Sequence, residues 1–158
     1  MNQKSKAALK PSRSVHLIDI ENICGASNPT TEQVVQARES YLSLVKPGSL
    51  DQFFIRVSSR SNLAAASFGW PNARVQCKEG HDGADILIAR DLLDNKFEQT
   101  FKTIYLASGD GGLAPFAKHV VSRGGTVAVI SLPQALSMQM RFTGAKVLYL
   151  NAGNGLVP

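Results

Sequence analysis

Apolar runs alternate along the chain with segments of mixed polarity, and this alternation predicts the elements. The first run, Val15-His16-Leu17-Ile18, has the character of a strand buried on both faces of a parallel sheet and leads into Asp19-Ile20-Glu21-Asn22. After the loop Cys24 to Pro29, Thr30 or Thr31 can cap a helix that runs to about Val45, where Lys46-Pro47-Gly48 stops it. Gln52 to Val57 reads as a second strand and Ser58 to Phe68 as a short helix. Trp70-Pro71-Asn72 then turns the chain into a third strand, Ala73 to Cys77. The polar loop Lys78-Glu79-Gly80-His81-Asp82-Gly83 opens the clearest helix, Ala84 to about Asn95, with Ile86, Leu87, Ala89, Leu92 and Leu93 broadly on one side. Lys102 to Ala107 is a fourth strand ending in Ser108-Gly109-Asp110-Gly111-Gly112. A helix from about Leu113 to Ser122 stops at Arg123-Gly124-Gly125. Thr126 to Ser131 reads as a fifth strand, Pro133 to about Thr143 as a helix and Lys146 to Leu150 as a sixth strand at the sheet edge.

Strands joined by helical crossovers predict an α/β fold with a doubly wound, mostly parallel sheet flanked by helices. The natural strand order is 3-2-1-4-5, with the sixth strand at the edge. This order makes the first and fourth strands neighbours at the point where the winding reverses, and open α/β sheets bind ligands beyond the carboxyl ends of strands at such a point. The crevice is then lined by Asp19 from one strand end and by Ser108 and Asp110 from the other. Carboxylates that meet without a cation repel and raise one another's pKa, and hard oxygen ligands favour Mg²⁺ or Mn²⁺.

The crossover between the third and fourth strands has to pass over this region, and its helix carries Asp85 in the first turn and Asp91 further on. Residues six apart differ by about 600° around a helix, so the two acids do not share a face. Asp85 lies nearer the ligand-binding edge and is the better ligand, although an acid in a first turn also suits the helix dipole. Asp91, followed by Asp94, reads as solvated surface or a salt-bridge partner.

Composition narrows the picture further. The 158 residues suit one domain of about residues 15–151, between a basic tail over 1–14 and a short C-terminal tail over 152–158. The formal net charge is +5, and Lys4, Lys6, Lys10 and Arg13 lie in the first tail with no acid among them, so overall basicity says little about the folded body. No apolar run approaches the roughly 20 residues that span a bilayer, and no secretory signal is evident. A cytoplasmic protein with no membrane partner is expected. Cys24 and Cys77 read as buried thiols.

Three blocks resemble those of the NYN domains, members of the PIN-like nuclease superfamily. Asp19-Ile20-Glu21-Asn22 is similar to the family's D-x-x-N motif. Lys78 with Gly83-Ala84-Asp85 and the helix through Asp91 is similar to its second block. Ser108-Gly109-Asp110-Gly111-Gly112-Leu113 is similar to its S-G-D-x-D-F block. The blocks follow in register over about residues 14–150. The resemblance implies metal-dependent hydrolysis of RNA, with Asp19, Asp85 and Asp110 as ligands of Mg²⁺ or Mn²⁺. It also implies that Asn22 bonds a metal-bound water or steadies Asp19. Ser108 would orient the site or touch phosphate, Lys78 would contact phosphate, and free N–H groups after Gly111 and Gly112 would receive an anion. The partner expected is RNA, single-stranded or structured, with the assembly open between monomer and homodimer.

Gly112 departs from the family pattern, which usually has a second Asp there. Glu21 would point to the same side as Asp19 if the strand continued and could compensate. The departure keeps open a second function, a catalytically weak module that binds RNA. A phosphatase or receiver-like domain is a third class, but Asp-Ile-Glu fits its D-x-D poorly. Neither G-x-S-x-G nor a G-x-G-x-x-G after the first strand is present. His16 reads as a core residue, His81 as a solvated loop residue that could reach phosphate, His119 as surface, and Arg56, Arg60, Arg74 and Arg141 as surface that could line an RNA path.

Overall fold

The computed structural model describes residues 12–151, so most of the basic tail and the C-terminal tail expected at 152–158 lie outside the described residues. The chain runs in order through β1 (Val15–Asp19), α1 (Ile20–Cys24), α2 (Thr31–Val45), β2 (Gln52–Val57), α3 (Leu63–Gly69) and β3 (Arg74–Cys77). It continues through α4 (Gly83–Asp94), α5 (Phe97–Thr100), β4 (Ile104–Ala107), α6 (Ala114–Ser122), β5 (Val127–Ser131), α7 (Met138–Arg141) and β6 (Lys146–Tyr149). All six strands are parallel, in the order β3-β2-β1-β4-β5-β6. This is the predicted doubly wound architecture, with the sixth strand in place at the edge.

Side chains that alternate across β1 divide the core into two layers. Val15 and Leu17 pack on one face with Ile88 and Leu92 of α4 and Ala117 and Val120 of α6. Ile18 packs on the other with Val34 and Tyr41 of α2, Ala66 of α3 and Ile55 of β2. Every residue of β1 is buried, as the central position of the strand requires. His16 is fully buried between the rings of Phe53 and Tyr105, at centroid distances of 4.3 and 4.6 Å. Its ring nitrogens reach Tyr41 Oη at 2.7 Å and Asp51 Oδ2 at 2.8 Å, so a polar ring sits in the sheet with both nitrogens satisfied. Burial lowers its pKa, against the opposing pull of Asp51.

Three local features differ from the expected elements. The first strand ends at Asp19 and a short helix takes over at Ile20, because the Asp19 side chain caps it by accepting from the Asn22 amide and Gly25 closes it in the left-handed region at φ 64°. The predicted helix from Pro133 to Thr143 is broken into a 3₁₀ turn over Pro133–Ala135 and α7. Leu136 between them is extended, and Ser137 caps α7 while its amide donates to the Gly109 carbonyl. The helical turn α5 had no counterpart in the sequence reading.

Arg56 is not surface. It is 2% exposed, and its Nε and Nη2 donate to the two carboxylate oxygens of Asp91 at 2.9 and 3.2 Å. This fork joins β2 to the C-terminal half of α4 and fixes how that helix lies on the sheet. Asp91 is thus the salt-bridge partner that was one of its two expected roles. The other three arginines, Arg60, Arg74 and Arg141, are exposed.

Removing one partner of a buried pair leaves the other charge without compensation, a loss of about 3–5 kcal/mol. Asp91→Ala is therefore expected to cost that much, read from urea denaturation. Replacing both partners by apolar residues (Arg56→Met with Asp91→Leu) should recover most of it. A loss below about 1 kcal/mol for Asp91→Ala would show that the pair does not hold α4 in place.

Candidate active site

The C-terminal ends of β1 and β4 lie side by side, with Ile18 opposite Ala107 in the register. Asp19 follows at the end of β1 and Asp110 three residues beyond the end of β4. Asn22 binds these ends together: its backbone amide donates to Asp19 Oδ1 at 3.1 Å, and its side-chain Oδ1 accepts from the Gly109 amide at 3.0 Å. Gly109 has no room for a side chain, since a Cβ would collide with the Ala135 carbonyl and Ser131 Oγ. The crossover from β3 delivers α4 over this edge. Its start is fixed by Gly83, where a Cβ would run into the Lys78 carbonyl, so the loop from Lys78 to Gly83 closes tightly and brings Asp85 to the rim.

The result is an open cavity of about 310 Å³ lined by five carboxylates, Asp19, Glu21, Asp82, Asp85 and Asp110, together with Asn22, Ser58 and His81. Among the described residues, no lysine or arginine lines it. Asp19 is 7% exposed. Burial raises its pKa well above the ordinary carboxylate range against the pull of the Asn22 amide, and the neighbouring Glu21 and Asp85 raise it further. Asp85 is pushed up to about 7, first by burial and then by Asp110, with Asp82 adding to the repulsion. Its carboxyl is close enough to share a proton with Asp110 or with Asp19. Fully ionised, the group leaves the buried Asp85 Oδ1 without a hydrogen-bond partner.

Glu21 would compensate from β1 only if that strand ran on past Asp19. The strand stops, but Glu21 still lines the cavity, from the first turn of α1. Its Oε1 accepts from the Ser58 amide at 2.6 Å and from the buried Asn62 side chain at 3.1 Å, while Oε2 is buried without a partner. Sequence reasoning missed Asp82 and Asn62. In sequence Asp82 is one residue of a polar loop, and nothing around Asn62 signals that its amide will support an acid 41 residues away.

The other candidates lie differently. Ser108 is fully buried and its Oγ accepts from the Asp110 amide at 3.3 Å, so it shapes the acid turn and has no surface for phosphate. The Gly112 amide donates to Asp110 Oδ1 at 2.7 Å and the Leu113 amide donates to the Asp110 carbonyl. Asp110 thus engages two of the N–H groups expected to be free for an anion. Lys78, half-buried, and Gly111, packed near Gln139 and Ser137, do not line the acidic cavity, and Gly112 is exposed beside it. His81 is exposed at the rim and bonds Asp82. His119 is exposed on α6. Cys24 and Cys77 are unpaired and half-buried rather than fully buried. Burial, with Glu21 and Asp19 nearby, pushes the Cys24 thiol up to about 12.

Whether these residues suit a divalent cation is decided by their chemistry. Among the described residues, no three His, Cys, Asp or Glu side chains converge into a ready-made cage. Mg²⁺ does not require one, because it is usually held by one or two carboxylates with waters and substrate oxygens completing the shell. Orphaned carboxylate oxygens on Asp85 and Glu21 and the mutual repulsion of Asp19, Asp85 and Asp110 are the features a cation would relieve. The donor set fits a hard cation.

In the metal-free protein Asp85 holds its proton more tightly folded than unfolded, so the folded state binds more protons and stability falls as pH rises from the ordinary carboxylate range through about 7. Asp85→Asn replaces an acceptor by an amide that can donate to Asp110, and it should raise the metal-free Tm by a few degrees at pH 8 while changing it little at pH 5. An equal shift at both pH values would contradict the repulsion.

A crystal structure of a protein of unknown function from Vibrio parahaemolyticus is similar to this fold, with a TM-score of 0.61 and 14% identity over 89% of this chain and 94% of that one. No curated protein matches the chain. No helix among the described residues is long and apolar enough to cross a membrane. Residues 14–146 match the NYN domain, and over a span that takes in all the acids of the cavity the chain belongs to this family of PIN-like nuclease domains.

Proposed function

We propose that the protein is a ribonuclease that hydrolyses RNA phosphodiester bonds with the help of Mg²⁺ or Mn²⁺. The observation that carries this reading is one cavity lined by five carboxylates, and by no lysine or arginine among the described residues, at the switch point of a nuclease-family fold. Asp19, Asp85 and Asp110 would hold the cation. When bound, it supplies polarisation of the scissile phosphate and a lowered pKa for an attacking water. The chain's own residues do the positioning. Asn22 keeps the β1 and β4 ends at one separation through Asp19 and Gly109. Ser58 and Asn62 fix Glu21 beside Asp19, where its free Oε2 can accept from a water or complete the cation's shell. The partly exposed rim at His81 and Asp82 leaves the cavity open to a strand of nucleic acid.

The absence of a carboxylate at Gly112 favours a second reading, a module that binds RNA and cuts it slowly or not at all. Glu21 weighs against it, because it brings another acid to the same cavity. Single-stranded and structured RNA incubated with Mg²⁺ or Mn²⁺ should be cleaved by the wild type. Cleavage should fall about 100-fold or more in Asp19→Asn and Asp110→Asn, and about 10- to 100-fold in Asn22→Ala, which touches the acids without being one. Cleavage that survives excess EDTA or both Asp substitutions would refute the nuclease reading, and binding without cleavage under several metals would establish the second.

A further inference from the structure

A second concavity adjoins the acidic cavity. It holds about 390 Å³ and runs between α4 and the start of α6, with Asp82, Asp85 and Asp110 forming the boundary shared with the acids. Beyond that boundary its character changes. Ile86, Ala89 and Leu93 of α4 face Leu113 and Phe116, and Arg90 is exposed at the border. Ile86 is 39% and Leu93 48% exposed, while Ala89 and Phe116 are half-buried with their inner sides packed on the core. Gly112 lines the junction with backbone alone, and a Cβ there would come within 3.1 Å of Asp110 Oδ1. Nothing bulky therefore separates the apolar groove from the acids.

We propose that this groove is a nucleobase subsite, which takes the base next to the phosphate held at the carboxylates. The inference rests on the nuclease reading for the identity of the strand but on different residues for its contact. The apolar floor beyond the acids offers phosphate and ribose hydroxyls no hydrogen-bond partner, and the part of an RNA strand that it can desolvate is the flat face of a base. Unpaired bases are held in this way, stacked on an aromatic ring and on an Arg guanidinium plane, here Phe116 and Arg90. The volume lies in the range of small-ligand sites. Continuity with the acids singles out this occupant over a partner protein, because the groove opens directly into the cavity where the backbone would lie. Base contact in the groove gives the enzyme a preference at one position of the substrate, which the acids alone cannot supply.

The test uses the full chain with Asp110→Asn as the background, so that the probe stays intact, and an oligoadenylate RNA heptamer as ligand. Ile86→Ser and Leu93→Ser, both at exposed helix positions, should weaken its binding about five- to ten-fold, and an abasic nucleotide at one position of the heptamer should abolish that difference. 2-Aminopurine at that same position should be quenched on binding, and less so in the variants. Equal binding by the variants, or a loss that no abasic position cancels, would overturn the subsite. A wild-type dimer that Ile86→Ser dissociates in sedimentation would overturn it by assigning the groove to a second copy of the chain. The two readings fail separately: base-dependent binding without cleavage by the wild type leaves the subsite standing, and cleavage indifferent to Ile86 and Leu93 leaves the nuclease standing.

Discussion

Like charges held close together in a half-dry cavity set the terms for the rest of this structure. Asp19, Asp85 and Asp110 repel one another, and burial of Asp19 denies the group the screening that water would give. In a protein selected only for stability such a cluster would be diluted by a lysine or an arginine. Here none of the described residues does so, and Asp19 and Asp85 instead hold their protons well above the usual range. The arrangement makes physical sense as one half of a site whose other half is a positive ion.

The scaffold spends its specific interactions on keeping the repelling groups together. Parallel pairing of β1 with β4 places the two strand ends side by side, and Asn22 then locks the turn after each to the other. The Arg56–Asp91 fork lays α4 across β2, so that the helix start delivers Asp85 to the edge. Asn62 and the Ser58 amide hold Glu21 from the opposite side. Each device lies outside the carboxylate cluster and each is a directional bond, which packing alone could not replace. The Gly112 and Leu113 amides at the next helix start are committed as well, to Asp110 Oδ1 and to the Asp110 carbonyl.

Much of this was legible in the chain. Apolar central strands, glycine stops and a capped second helix give the order of elements, and the winding rule then predicts that Asp19 and Asp110 meet. Side-chain partnerships across long sequence distances were not legible. The exchange of a strand for helix α1 at Ile20 depends on Asp19 acting as a cap, which its position at a strand end does not reveal. Arg56 looked like any surface arginine because its partner lies 35 residues away. Ser108 and Asn62 are polar residues made structural by burial, and burial at a loop cannot be read from local periodicity. The break near Leu136 follows from the bond between Ser137 and Gly109, another contact between distant segments.

That a divalent cation completes the acidic cavity is tested most directly by calorimetric titration of the metal-free protein with Mn²⁺ at pH 6, in two buffers of different ionisation enthalpy. Binding should saturate, and it should release protons, because the cation displaces those that Asp19 and Asp85 hold in its absence. Asp85→Asn should weaken the binding and reduce the proton release. Saturable binding without proton release, or binding that Asp85→Asn leaves unchanged, would contradict the account.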